Sequence, residues 1–186
     1  TNYINGFHRF PSGGMDYVMT YYQPENRIID KIFGGFARYL NNQEGSSLDL
    51  FSYLHYQKSS FEQELPAEWL LRECYADDFR ILINFYDGHS GGLMLDALGL
   101  ESASTLLRKA FMKAGFKRNY QTFCLCNRGQ QAAFFIVNQS DFGLNLSDLL
   151  NGIKIIIVDK ELRWEIITTA ISKLSNFYQE DRIPLL

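Results

Sequence analysis

The stretch that most constrains this chain runs from Ile153 to Tyr178, where Ile-Lys-Ile-Ile-Ile-Val passes through Asp159-Lys160-Glu161 into a helical pattern. The run from Ile153 to Val158 is short and β-branched, which suits a strand covered on both faces. Ile166, Ile167, Ala170, Ile171, Leu174, Phe177 and Tyr178 then recur at helical spacing. A strand that turns into a helix leaves the first helical N–H groups without partners and aims the positive end of the helix dipole beyond the strand. Such an end can hold a phosphate, or it can be a purely structural βα unit.

The chain has 186 residues, enough for one well-buried domain with an extension. We expect a helical N-terminal extension over residues 1–66 and an α/β domain over residues 67–186. Hydrophobic residues make up 46% and aromatics 15%, which supports a substantial core or an apolar pocket. The net charge of -3, with Lys and Arg scattered along the chain, gives no electrostatic footprint for nucleic acid. Three Cys do not make a disulfide framework, so a reducing, cytoplasmic setting is expected. No stretch approaches the ~20 apolar residues that span a bilayer. The sequence opens on Thr1 and closes on Arg182-Ile-Pro-Leu-Leu, which reads like a strand just beginning. That pattern suggests a piece of a longer protein, with its other domains as partners.

In chain order, Asn2 to Gly14 reads as an irregular arm ending in Pro-Ser-Gly-Gly. From Pro24 the pattern is helical through Leu40, although Gly34-Gly35 inside it costs about 1 kcal/mol each relative to Ala. Close packing against a neighbour would explain them. Leu48 to Tyr56 gives a short helical pattern, with His55 on its face. Pro66 to Cys74 reads as a short helix begun by Pro. Asp77-Asp78 breaks it before a strand from Phe79 to Tyr86, in which Phe79, Ile81, Ile83 and Phe85 share one face. The loop Asp87 to Gly92 follows, and its glycines bracket His89.

Ser102 to Ala114 is a helix closed by Gly115. Tyr120 to Cys126 and Gln131 to Val137 flank Asn127-Arg128-Gly129, the signature of a hairpin. Cys124 and Cys126 then share one strand face, where they fill core, and no second Cys or His pair completes a metal ligand set. Between Asn138 and Gly152, Asn145 or Ser147 can cap a helix of one or two turns. That segment is either a capped connector or a second set of helix N–H groups at the sheet edge.

The order strand, helix, β-hairpin, connector, strand, long helix, strand from Phe79 to Leu186 resembles the GNAT (N-acyltransferase) superfamily over roughly the last hundred residues. The resemblance implies an α/β (α+β) fold, a central mixed sheet flanked by helices, with further strands beyond Leu186. It implies that acyl-CoA is a co-substrate, its pantetheine inserted where Ile155, Ile157 and Val158 splay from the neighbouring strand. Its pyrophosphate would sit on Asp159, Lys160, Glu161, Leu162 and Arg163. Val158, Lys160 and Arg163, with Asn145 and Ser147, are therefore the candidate cofactor-binding residues. The family's loop is Arg/Gln-x-x-Gly-x-Gly/Ala, whereas this sequence has no glycine after Gly152.

Two functions follow. In the first, an amine attacks a thioester, His89 removes its proton with Asp87 as orienter, and backbone N–H groups polarise the thioester carbonyl. The aromatic content favours an apolar acyl group, as in the long-chain N-acyl amino acid synthases of that superfamily. In the second, the domain is a non-catalytic binding or regulatory module for an acyl donor or apolar ligand. An open slot at Asp159 to Arg163 favours the first, and a slot closed by side chains such as Trp164 favours the second.

Overall fold

The computed structural model describes residues 22–39, 48, 50–52, 54, 56, 64–90, 109, 111–140 and 151–178, with backbone alone at 88–90. The chain divides into two compact units, one of Thr1–Leu50 and Ile83–Leu100, the other of Phe51–Leu82 and Glu101–Leu186. The segment from Ile83 to Leu100 belongs with the first unit.

In the first unit, α1 (Arg27–Ile29) passes through a π-helical turn (Asp30–Gly34) into α2 (Gly35–Tyr39), within the expected helical span. Asn26 caps it by accepting the Ile29 N–H at 3.2 Å. A Cβ on Gly34 would collide with the Asp30 carboxylate and the Tyr22 hydroxyl. Those two groups are hydrogen-bonded at 3.0 Å, and Arg38 pairs with Asp30 at 2.7 Å. A side chain at Gly34 would therefore displace the ends of this polar cluster.

The second unit is a mixed α+β structure built on a four-stranded sheet in the order β1-β2-β3-β4. Its strands are β1 (Trp69–Glu73), β2 (Arg118–Asn127), β3 (Gln130–Ser140) and β4 (Gly152–Ile157), with the part of α3 (Ala76–Ser90) up to Leu82 after β1 and α4 (Trp164–Ser175) after β4. Every pairing among the described strands is antiparallel, so the expected mixed sheet is not what they form.

Two local expectations are overturned. Trp69–Glu73 is a strand rather than part of a helix, because it pairs with β2 from Trp69 against Asn127 to Glu73 against Phe123. Long-range pairing overrides the helical propensity of Leu, Arg and Glu. Phe79 to Tyr86 is helix rather than strand, lying within α3. Asp77 and Asp78 open that helix instead of breaking a preceding one, since carboxylates suit its positive end. Asp78, Leu82 and Tyr86, four apart, are its buried positions. Phe51, Ser52, Leu54 and Tyr56 are not helical either.

The hairpin forms as expected. Arg128 and Gly129 have φ of 49° and 85°, the two positive values of a type I′ turn. The helix before β2 is described only at its end, where Gly115 (φ 82°) closes it. Phe116 N–H reaches Phe111 O at 2.9 Å and Gly115 N–H reaches Met112 O at 3.0 Å, a Schellman closure.

One sheet face, carrying Phe123, Leu125, Ala133, Phe135, Val137 and Ile153, forms the core with Ile166, Ile167, Ala170, Ile171 and Leu174 of α4. Tyr178 anchors the end of this layer, its hydroxyl lying 2.7 Å from Asn138 O and 3.0 Å from Gly152 O. The expected apolar stripe of α4 is buried except at Phe177, which is 43% exposed. The strand before it is not covered on both faces. β4 is the outermost described strand, and while Ile153 and Ile156 are buried, Lys154 is exposed and Ile157 is 40% exposed.

Candidate functional site

Val158, Lys160 and Arg163 lie on the turn between β4 and α4. Its backbone is tied back onto the sheet, because the N–H groups of Val158 and Asp159 both donate to Ala132 O at 2.9 Å. Glu161 N–H donates to Asp159 Oδ1 at 2.9 Å, and Leu162 N–H to Asp159 O at 3.1 Å. Arg163 is the N-cap residue in an extended conformation and makes no side-chain cap. Trp164 and Glu165 therefore present the first orphan N–H groups of α4 outward. Lys160 and Arg163 are exposed beside them, as are Glu161 and Glu165, so cations and carboxylates alternate around the helix start. Trp164 is 53% exposed and lies on the surface rather than in a slot.

Asp87 and His89 lie within α3, not in a loop. Asn145, Ser147 and His55 lie outside the described residues.

A cluster that the sequence did not reveal occupies the sheet face opposite α4. Cys124 and Cys126 Sγ atoms are 3.5 Å apart, across a register shift between Leu125 and Cys126. Cys74, at the end of β1, completes the group with a side-chain hydrogen bond to Cys124. Only the β1–β2 pairing brings Cys74 there, which is why spacing gave no sign of it. The hydrogen bond from Cys74, then burial, pushes the Cys124 thiol well above its ordinary value, and burial pushes Cys126 up to about 11. The inner thiols are therefore neutral packing groups. Among the described residues, no group of three or more His, Cys, Asp or Glu is arranged to hold a metal ion.

Beside the thiols, Arg72 of β1 grips Asp78 of α3, and Gln131 Nε2 of β3 donates to the same carboxylate at 2.7 Å. Across the sheet, an open groove of about 390 Å³ lies between β1, β2 and the second half of α4. Trp69, Phe123 and Phe177 line it, and the Lys173–Glu64 ion pair, at 2.7 Å, stands at its rim. No described helix is long and apolar enough to cross a membrane. Neither a family model, nor a curated protein, nor a solved structure matches the chain.

Proposed function

We propose that the second unit is an acyltransferase-like domain that takes an acyl group from a CoA-type or carrier-protein thioester to an amine. One relationship carries the reading. β4, the outermost described strand, runs through Val158 to Arg163 straight into a helix whose N-cap residue makes no side-chain cap. An outer strand edge offers backbone groups to the amides of a pantetheine arm, and an uncapped helix start offers N–H groups to its phosphates. Lys160 and Arg163 supply the neighbouring positive charge.

A second reading, a non-catalytic binding or regulatory module, draws support from the same turn. The N–H groups of Val158, Asp159 and Glu161 are already engaged, and Asp159, Glu161 and Glu165 oppose an anion.

Thermal-shift titrations with CoA, acetyl-CoA and a long-chain acyl-CoA decide between the two, since a ligand at a hundred times its Kd stabilises by about 2.7 kcal/mol. Arg163→Glu should weaken that binding by about 1.5–3 kcal/mol, the scale of a charge-assisted hydrogen bond, and leave the ligand-free Tm unchanged. If no CoA species shifts the Tm of the wild type at millimolar concentration, the module reading takes over.

A further inference from the structure

The helical run from Arg27 to Tyr39 in the first unit is packed inside out. The residues it buries are Gly34 and Ala37, the small ones, whereas Ile28, Ile32, Phe36 and Tyr39 are 73%, 57%, 63% and 84% exposed. A surface helix ordinarily turns its large apolar residues toward the core. The π-helical turn sharpens the exposed stripe, because Gly35 N–H reaches back five residues to Asp30 O. A turn that wide keeps residues four apart nearly in line, so Ile28, Ile32 and Phe36 form a single row.

The cations of this run divide into two kinds. Arg38 is engaged by Asp30, in the polar cluster with Tyr22 and beside Gly34. Arg27 and Lys31 are exposed and make no ion pair among the described residues. Each directly precedes an isoleucine of the row, and being four apart they follow the same edge of it. An apolar row with cations along one edge and the amphipathic ring of Tyr39 at its end has the layout of a helix lying in a lipid interface. Long cationic side chains can lay their stems along the apolar surface there and hold their charges at the level of the lipid heads.

We propose that the run from Arg27 to Tyr39 docks on the surface of a lipid bilayer that carries anionic lipid. Ile28, Ile32 and Phe36 enter the boundary of the acyl chains, and Arg27 and Lys31 pair with the negative groups of the lipid heads. The charge complementarity of that edge selects an anionic surface over a neutral one. The helix lies in the interface and does not cross it. This proposal does not rest on the thioester reading, which concerns the second unit.

The test is co-sedimentation of the whole chain with vesicles of equal parts phosphatidylserine and phosphatidylcholine, and with vesicles of phosphatidylcholine alone. Wild type should bind the mixed vesicles at least about tenfold more tightly, and added salt should narrow that difference. Ile32→Ser with Phe36→Ser should weaken binding to the mixed vesicles at least about tenfold. Arg27→Gln with Lys31→Gln should do the same while leaving binding to the neutral vesicles unchanged. All four side chains are exposed, so Tm in the absence of lipid should stay at the wild-type value. If the serine variant nonetheless melts early, the glutamine variant decides. Failure of wild type to bind the mixed vesicles at millimolar lipid overturns the proposal, as does binding that the glutamine variant leaves unchanged. Self-association of the lipid-free chain in sedimentation equilibrium, abolished by Ile32→Ser with Phe36→Ser, would give the row to a second copy and overturn the lipid reading. CoA titration reads the second unit separately, so either reading can fail alone.

Discussion

Arg72 and Asp78 form a two-pronged ion pair, with Nη1 to Oδ2 at 2.6 Å and Nη2 to Oδ1 at 2.9 Å, that fastens the start of α3 to β1. Asp78 also accepts the Tyr75 N–H at 2.7 Å and is 2% exposed, so nearly every lone pair of its carboxylate is used. Asp78→Ala should destabilise the protein by about 3 kcal/mol, because Arg72, Gln131 and Tyr75 all lose their acceptor. The guanidinium holds the carboxyl well below the usual range. A depressed folded value gives stability that is present above about pH 4, the unfolded value, and is lost as pH falls further. Urea melts at pH 7 and pH 2 check both points, since the gap between wild type and variant should narrow in acid.

Tyr178→Phe removes the one hydroxyl that ties the end of α4 to the adjoining carbonyls of β3 and β4. The expected loss is about 1–1.5 kcal/mol, with the fold retained. Hydrogen exchange at Asn138 and Gly152 should quicken relative to that at Phe134 and Ala133 in the same sheet.

The inner thiols should resist an aromatic disulfide reagent at pH 8 in the native protein and react on unfolding, when all three cysteines become available. Burial holds Cys126 up to about 11. Because the fold favours the neutral form, this contribution is complete below about pH 8.5, the unfolded thiol value, and is lost as pH rises toward the folded value. Cys124→Ala with Cys126→Ala should lower stability modestly and leave zinc content, measured by elemental analysis, at zero in both proteins. Rapid native labelling of two or more thiols, or stoichiometric zinc, would contradict this account.

β4 offers an internal comparison. Ile156 is 8% exposed and pairs with the fully buried Phe134, whereas Ile157 is 40% exposed. Ile156→Asp should abolish folding, since a charge buried there costs several kcal/mol against a total of about 5–15. Ile157→Asp should cost no more than about 1 kcal/mol. Circular dichroism melts of the two variants separate a side chain buried in the core from one at a half-open edge.

What was legible in the sequence was what depends on local chemistry. Asn127-Arg128-Gly129 marks its turn because a two-residue hairpin needs positive φ, and Gly115 marks a helix end for the same reason. The spacing of Ile167, Ala170, Ile171 and Leu174 marks α4 because only a helix puts them on one stripe. α3 was misread because Phe79, Ile81, Ile83 and Phe85 alternate while Asp78, Leu82 and Tyr86 also fit a helix. An apolar segment of that length carries both periods. β1 was misread because its identity rests on a partner strand far along the chain. The turn that carries Val158, Lys160 and Arg163 was readable from the change of period alone. The gathering of Cys74 with Cys124 depends on strand register, which no local pattern encodes.

The turn at Arg128 and Gly129 has a kinetic consequence. β2 and β3 are joined by those two residues alone, so they can zip together on the microsecond scale of hairpin formation. β1 must instead close a long stretch of chain before Glu73 meets Phe123, and the entropy of that closure delays it. Contacts on the β1 side then form after the rate-limiting barrier. Loss of the Asp78 carboxylate should therefore act on the unfolding rate, shortening the native lifetime with little change in the speed of folding.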